Sequence, residues 1–180
     1  MRILGINAYH GDASAALVED GQLIAAAAEE RFNRQKHCAG FPAEAVRYCL
    51  SAAHLVIADI DAIAVSRDPC RNWYRKLWRG INMNVSVFLQ RLASSRSIRN
   101  IRDQFEAMFP ENGLAPRTKI VHVEHHLAHA ASAFFVSPFA DAAILSMDGF
   151  GDFSSTLLAE GRGNKIKELQ RVYFPHSLGL

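Results

Sequence analysis

Three side chains of this chain are suited to metal chemistry. They are His125 and His129 in the run His125-His126-Leu127-Ala128-His129, and Asp148 farther on. On a helix, positions i and i+4 share a face about 6 Å apart along the axis, so both imidazoles can reach one ion. His126 is rotated roughly 100° away and is poorly placed as a third ligand. Taken alone, such a pair is an ordinary surface feature of helices. Asp148 changes the balance, because it follows the apolar run Ala142–Met147. A carboxylate at the end of a buried strand needs a cation or strong donors nearby. Two imidazoles and one carboxylate suit iron, manganese or zinc, with positions left open for substrate.

Two glycine-containing turns form a second constellation. They are His10-Gly11-Asp12-Ala13-Ser14 and Asp148-Gly149-Phe150-Gly151-Asp152. Glycine permits close backbone approach and positive φ, and backbone N–H groups in such turns can meet phosphate oxygens. Each alone reads as an ordinary hairpin; together they suggest two jaws around a triphosphate. A third stretch, Glu29-Glu30-Arg31-Phe32-Asn33-Arg34-Gln35-Lys36-His37, is by composition a solvated charged loop. Its place after a strand could bring Lys36 to a phosphate or carboxylate.

The elements that must position these residues follow from the pattern. Arg2–Asn7 reads as a buried strand, and Ser14–Glu19 and Gln22–Glu30 as a second and third. Asp20-Gly21 between them is a strong hairpin signal, which overrides the helical preference of the alanines in the third strand. Residues 31–41 read as a polar loop, 42–53 as a helix opened by Pro42, and Ile60–Ser66 as a buried strand. The stretch 67–117 reads as helical and basic, with Arg71, Arg75, Lys76, Arg79, Arg91, Arg96, Arg99 and Arg102. It is either a solvated face or a cationic rim that attracts a phosphate substrate. Lys119–Val123 is a strand, His125–Val136 a helix and Ala142–Met147 another buried strand. Phe153–Glu160 and Lys165–Tyr173 pair across Gly161-Arg162-Gly163-Asn164.

One internal similarity stands out, which a duplicated domain explains better than the turn chemistry that hairpins share. Ile3-Leu4-Gly5-Ile6-Asn7 leads through a Gly/Asp turn to Ser14-Ala15-Ala16-Leu17, and Ile144-Leu145-Ser146-Met147-Asp148 does the same to Ser155-Thr156-Leu157-Leu158. This predicts a duplicated domain, with a first copy over 1–141 and a second begun over 142–180.

Composition bounds the function. The 180 residues suffice for one domain or somewhat more. A net charge of +2 gives no footprint for nucleic acid or a membrane surface. Three cysteines without a Cys-x-x-Cys pair argue against disulfides or a zinc ribbon and suggest reduced thiols in the cytoplasm. No signal peptide is visible, and no apolar run approaches the ~20 residues that span a bilayer.

Four blocks carry a resemblance. Leu4 to Leu17 resembles the opening of the nodulation-type and antibiotic-biosynthesis carbamoyltransferases. Glu29-Glu30-Arg31-Phe32 with Lys36-His37 and Phe41-Pro42, then His125 to Phe134, then Asp148 to Asp152, resemble the blocks that follow. The resemblance implies an α/β fold of the actin/Hsp70 or ribonuclease H-like kind, duplicated, and kinship with the enzymes that build threonylcarbamoyl-adenosine on tRNA. It implies cleavage of carbamoyl phosphate in a separate C-terminal domain, ATP-dependent activation of carbamate as carbamoyl adenylate, and transfer to an acceptor hydroxyl. By motif, His125, His129 and Asp148 would ligate a divalent metal (iron, manganese or zinc, with magnesium as a companion of ATP). His10 and Lys36 would handle the carbamoyl group or its phosphate-side charge. Asp12, Ser14, Gly149, Gly151 and Asp152 would border the phosphates. The family also has a further aspartate ligand and an adenosine-binding segment that this sequence lacks, so a fragment, inactive alone and able to self-associate, is expected. Rival readings are a tRNA threonylcarbamoyl-adenosine transferase, a sugar kinase or actin-type ATPase, and a non-catalytic nucleotide-binding module.

Overall fold

A computed structural model describes residues 1–71, 100–111 and 113–179. Most of the basic stretch lies outside the described residues, and so does the choice between its two readings. The described chain divides into two compact units, one of 1–66 with 100–122 and one of 67–71 with 123–179.

The first unit is a five-stranded mixed sheet. β1 (Arg2–Asn7), β2 (Ser14–Glu19) and β3 (Gln22–Ala28) form an antiparallel meander, and β4 (Ala62–Val65) and β5 (Lys119–His122) join β1 in parallel. The order is β3-β2-β1-β4-β5. The β1–β2 register pairs Arg2 with Glu19 and Asn7 with Ser14. The hairpin turn puts Asp20 at φ 48° and Gly21 at φ 83°, the pair of left-handed residues that a type I′ turn needs.

Strand alternation sends Leu4, Ile6, Ala15, Leu17, Ile63 and Val65 to one face. They pack with Val46, Cys49 and Leu50 of α2 (Ala43–Ala52) and with Ile101 and Phe105 of α3 (Ile101–Met108). The Phe105 ring meets Phe41 edge-on at 4.9 Å. The third strand stops at Ala28 rather than Glu30, and the loop expected over 31–41 opens with a short helix, α1 (Glu30–Asn33). Glu29 ends the strand because its buried carboxylate turns to α2. There it accepts the backbone N–H of Ala45 at 2.8 Å and of Glu44 at 3.3 Å.

The second unit is α4 (His125–Phe134) packed on an antiparallel sheet in the order β6-β7-β8. Its strands are β6 (Asp141–Gly151), β7 (Ser154–Arg162) and β8 (Lys165–Tyr173). Ala130 and Phe134 meet Ile144, Leu157 and Ala159 in a small core. Helix and sheet approach closely because position 161 is glycine. A Cβ there would lie 2.6 Å from the Phe134 ring. Like β1-β2-β3, β6-β7-β8 is an antiparallel meander. Two expectations are corrected. β6 continues through 148–151, and the reversal falls at Asp152 and Phe153, at φ 48° and 71°. Nor is β6 buried on both sides, since Leu145 and Met147 alternate outward.

Candidate metal centre

The candidate ligand set lies on one helix and one bulged strand. At β6 the register with β7 shifts between Met147 and Gly151, so residues 148–150 leave the regular ladder. Asp148 faces α4 by strand alternation, on the side of β6 that carries Ile144 and Ser146, and the irregularity begins at that residue. Nε2 of His125 stands 2.6 Å from Oδ2 of Asp148. Nε2 of His129, one turn along, lies 3.1 Å from Nε2 of His125 and 3.8 Å from the same carboxylate oxygen. His126, the histidine judged unsuited as a ligand, is buried and bonds Ser146 Oγ through Nδ1 at 2.9 Å.

These three ligand atoms all lie within 4.8 Å of one another. Bonds of about 2.1 Å around one ion separate neighbouring ligand atoms by about 3.0–3.4 Å. The triad therefore fits a first-row divalent ion, given a small opening of the His125–Asp148 contact. His129 is 55 % and Asp148 38 % exposed at the side chain, so such an ion would keep an open side. A groove of about 390 Å³ starts at His129 and Asp148 and runs between α4 and β6 past Ala133 and Ile144.

The protonation states suit ligation. Burial holds His125 below the ordinary histidine range, against the opposing pull of its bond to Asp148, and the neighbouring imidazoles act in the same direction as burial. Burial alone would raise the Asp148 carboxyl, but the His125 bond and the Gly149 N–H outweigh it and lower the group. An ionised carboxylate only accepts, so without an ion the His125 Nε2–H donates in this bond, and an ion bound at Nε2 would displace that proton.

The surroundings fix the geometry. A Cβ at Gly151 would fall 1.9 Å from Cδ2 of His125, so the backbone there is the floor on which the imidazole lies. Asp152, 1 % exposed at its side chain, turns inward. Its Oδ2 accepts the backbone N–H of His125 at 3.0 Å and of Asp68 at 2.8 Å. Behind Asp148, Ser177 Oγ donates to its carbonyl at 3.2 Å.

Glu124 caps α4, accepting the N–H of His126 and of Leu127. It also receives Nη1 of Arg171 at 2.7 Å, in a pair 3 % and 5 % exposed. Sequence reasoning missed both residues. An acidic residue just before the helix was a legible cap signal, but nothing local marks Arg171 as its partner.

The other expected site residues sit in the first unit. His10, Asp12 and Lys36 are exposed on loops and Ser14 opens β2. His37 Nδ1 lies 3.1 Å from Asp12. In the loop after β1 the left-handed residues are Tyr9 and Asp12, not Gly11. Gly149 donates its N–H to Asp148 Oδ1.

Over residues 2–180 the chain matches the family described as Carbamoyltransferase N-terminus. This chain belongs to the carbamoyltransferase family. Its relatives include the uncharacterized protein sll1178 of Synechocystis sp., 38 % identical over 99 % of this chain and 30 % of that protein. Nodulation protein NolNO of Sinorhizobium fredii is 37 % identical over 97 % of this chain and 25 % of its own length. The chain thus spans under a third of these relatives. Among solved structures, YeaZ from Pseudomonas aeruginosa superimposes with a TM-score of 0.50 at 15 % identity, covering 97 % of this chain and 67 % of that one. The fold of this carbamoyltransferase segment is accordingly actin-like, of the ribonuclease H-like class. No helix among its described residues is long and apolar enough to cross a membrane.

Proposed function

We propose that this chain supplies the metal- and nucleotide-binding part of an O-carbamoyltransferase. The convergence of His125, His129 and Asp148, in a chain matched from end to end by that family, carries the reading. In the reaction proposed, carbamoyl phosphate is hydrolysed to carbamate and phosphate by a further domain. A carbamate oxygen then attacks the α-phosphorus of ATP, pyrophosphate leaves, and carbamoyl adenylate results. The hydroxyl oxygen of a small-molecule or sugar acceptor attacks the carbamoyl carbon, AMP leaves and the hydroxyl proton passes to a base. A bound divalent ion would supply Lewis-acid charge to oxygens that gain negative charge.

The chain's own residues divide the remaining work. His125, His129 and Asp148 hold the ion. His10 and Lys36, exposed on loops, are proposed to meet the carbamoyl group or its phosphate-side charge, and Asp12, Ser14 and Gly149 to border phosphates. Gly151 and Asp152 are proposed to serve that border through the backbone, since the Asp152 carboxylate is engaged inward with His125 and Asp68. The cytoplasm is the proposed location, supported by three cysteines that are all free thiols.

The test is metal analysis and carbamoyl transfer on the full-length protein. His129→Ala is expected to remove the bound metal and nearly all transfer. A variant that keeps its metal would overturn the assignment.

A further inference from the structure

We propose that Arg171 and Glu124 are positioning residues of the metal centre, which set its affinity by clamping both sides of His125. The inference rests on the metal reading above, and none of the motifs that led to that reading contains Arg171.

The Arg171 guanidinium is fixed before it touches the helix. Nε and Nη2 each donate to a different oxygen of Glu168 at 2.9 Å, a two-pronged contact that sets the plane of the group. Nη1 then reaches Glu124 Oε1 at 2.7 Å and Ser154 Oγ at 3.0 Å. Glu124 uses both oxygens on the first turn of α4, accepting the N–H of His126 at 3.2 Å and of Leu127 at 3.0 Å. Ser154 Oγ lies 3.1 Å from the carbonyl of Gly151, the residue whose backbone forms the floor under the His125 ring. One cation therefore reaches the helix that carries the two histidines and the strand against which His125 rests.

A buried ion pair is a poor adhesive. Its desolvation offsets most of its attraction, and an apolar pair of the same volume would join β8 to α4 at least as well. What the charged fork adds is direction. Two Nε2 atoms 3.1 Å apart must stay within about 0.5 Å of their places to share one ion. His129 lies a full turn from the cap, so a small tilt of α4 would move its imidazole farther than that of His125. Changes to groups that hold ligands typically weaken metal binding about 10–100-fold.

The experiment uses the full-length protein and Zn²⁺ or Co²⁺ as probes. Wild type, Arg171→Met, Arg171→Lys, Glu124→Gln and the Glu124→Gln/Arg171→Met double variant are titrated against a competing chelator. The visible absorption of the Co²⁺ form reports ligand geometry, and melting in EDTA reports stability without metal. Arg171→Met and Glu124→Gln are each expected to bind Zn²⁺ about 10–100-fold more weakly and to change the Co²⁺ spectrum at saturation. Arg171→Lys should fall between, since lysine keeps the charge and loses the fork. The double variant should be little worse than the worse single one. Wild-type affinity and an unchanged Co²⁺ spectrum, with only the melting temperature lowered, would make the pair merely structural and overturn the proposal. If Arg171→Met does not fold, the same outcome in Arg171→Lys and Glu124→Gln overturns it. A wild-type protein that binds neither ion refutes the metal reading itself.

Discussion

Two glycines separate packing from chemistry at the scale of single residues. Gly151→Ala would drive a methyl group into the His125 ring, so the imidazole or the strand must shift. We expect at least about a tenfold loss of Zn²⁺ affinity, read by chelator competition, since the loss of ligand support has that size. Gly161→Ala would press Phe134 instead. It should cost about 1–3 kcal/mol in urea denaturation, the usual range for overpacking, and leave the metal affinity nearly unchanged. Equal effects of the two changes on metal binding would refute the role given to Gly151. Proton linkage supplies a second residue-scale prediction. Bonds from Arg171 hold the Glu168 carboxyl below its ordinary value, and they lower Glu124 too, although burial alone would raise it. The unfolded chain then binds these protons more readily than the folded one. The stabilisation is complete above about pH 4.5 and is lost as pH falls through the folded values. In metal-free protein, Arg171→Met should flatten the acid limb of stability against pH; an unchanged slope would show that the pair does not titrate this way.

Helix starts decide much at the scale of elements. Glu29 sits in the Glu-Glu-Arg-Phe block that sequence reasoning treated as a charged loop, yet it caps α2 from outside the helix. Glu29→Ala should lower stability by about 1–3 kcal/mol, the cost of unsatisfied buried donors, with metal affinity intact. Loss of metal in that variant would give Glu29 a part in the site. The strands of the first unit were legible because alternation and the Asp20-Gly21 turn agree. Histidine spacing likewise predicted that His125 and His129 share a helix face, and the structure sets their Nε2 atoms 3.1 Å apart. The bulge at 148–150 was not legible, because two glycines around Phe150 look like a turn when no partner strand is in view. Arg171 was not legible either. Its value lies in a contact made across the fold, and a Lys/Arg-rich strand such as Lys165–Tyr173 does not say which cation turns inward.

For the whole molecule, the comparisons set the expectation. The 180 residues cover 30 % and 25 % of two relatives. Produced alone, they are expected to bind Zn²⁺ more weakly than the full-length protein and to form no carbamoyl adenylate from ATP and carbamate. Calorimetric titration and product analysis test this, and adenylate formation by the 180 residues would place the whole active site within them. The reversal between β6 and β7 carries one more consequence. Asp152 and Phe153 hold left-handed backbone without being glycine, at a cost of order 1–3 kcal/mol each. Relief of that strain by glycine would cost a contact at either position: at 153 the ring packed against Phe174 at 5.4 Å, and at 152 the carboxylate that accepts the backbone N–H groups of His125 and Asp68. A laboratory selection for heat resistance would therefore be expected to leave this reversal untouched and to find its gains elsewhere in the sequence.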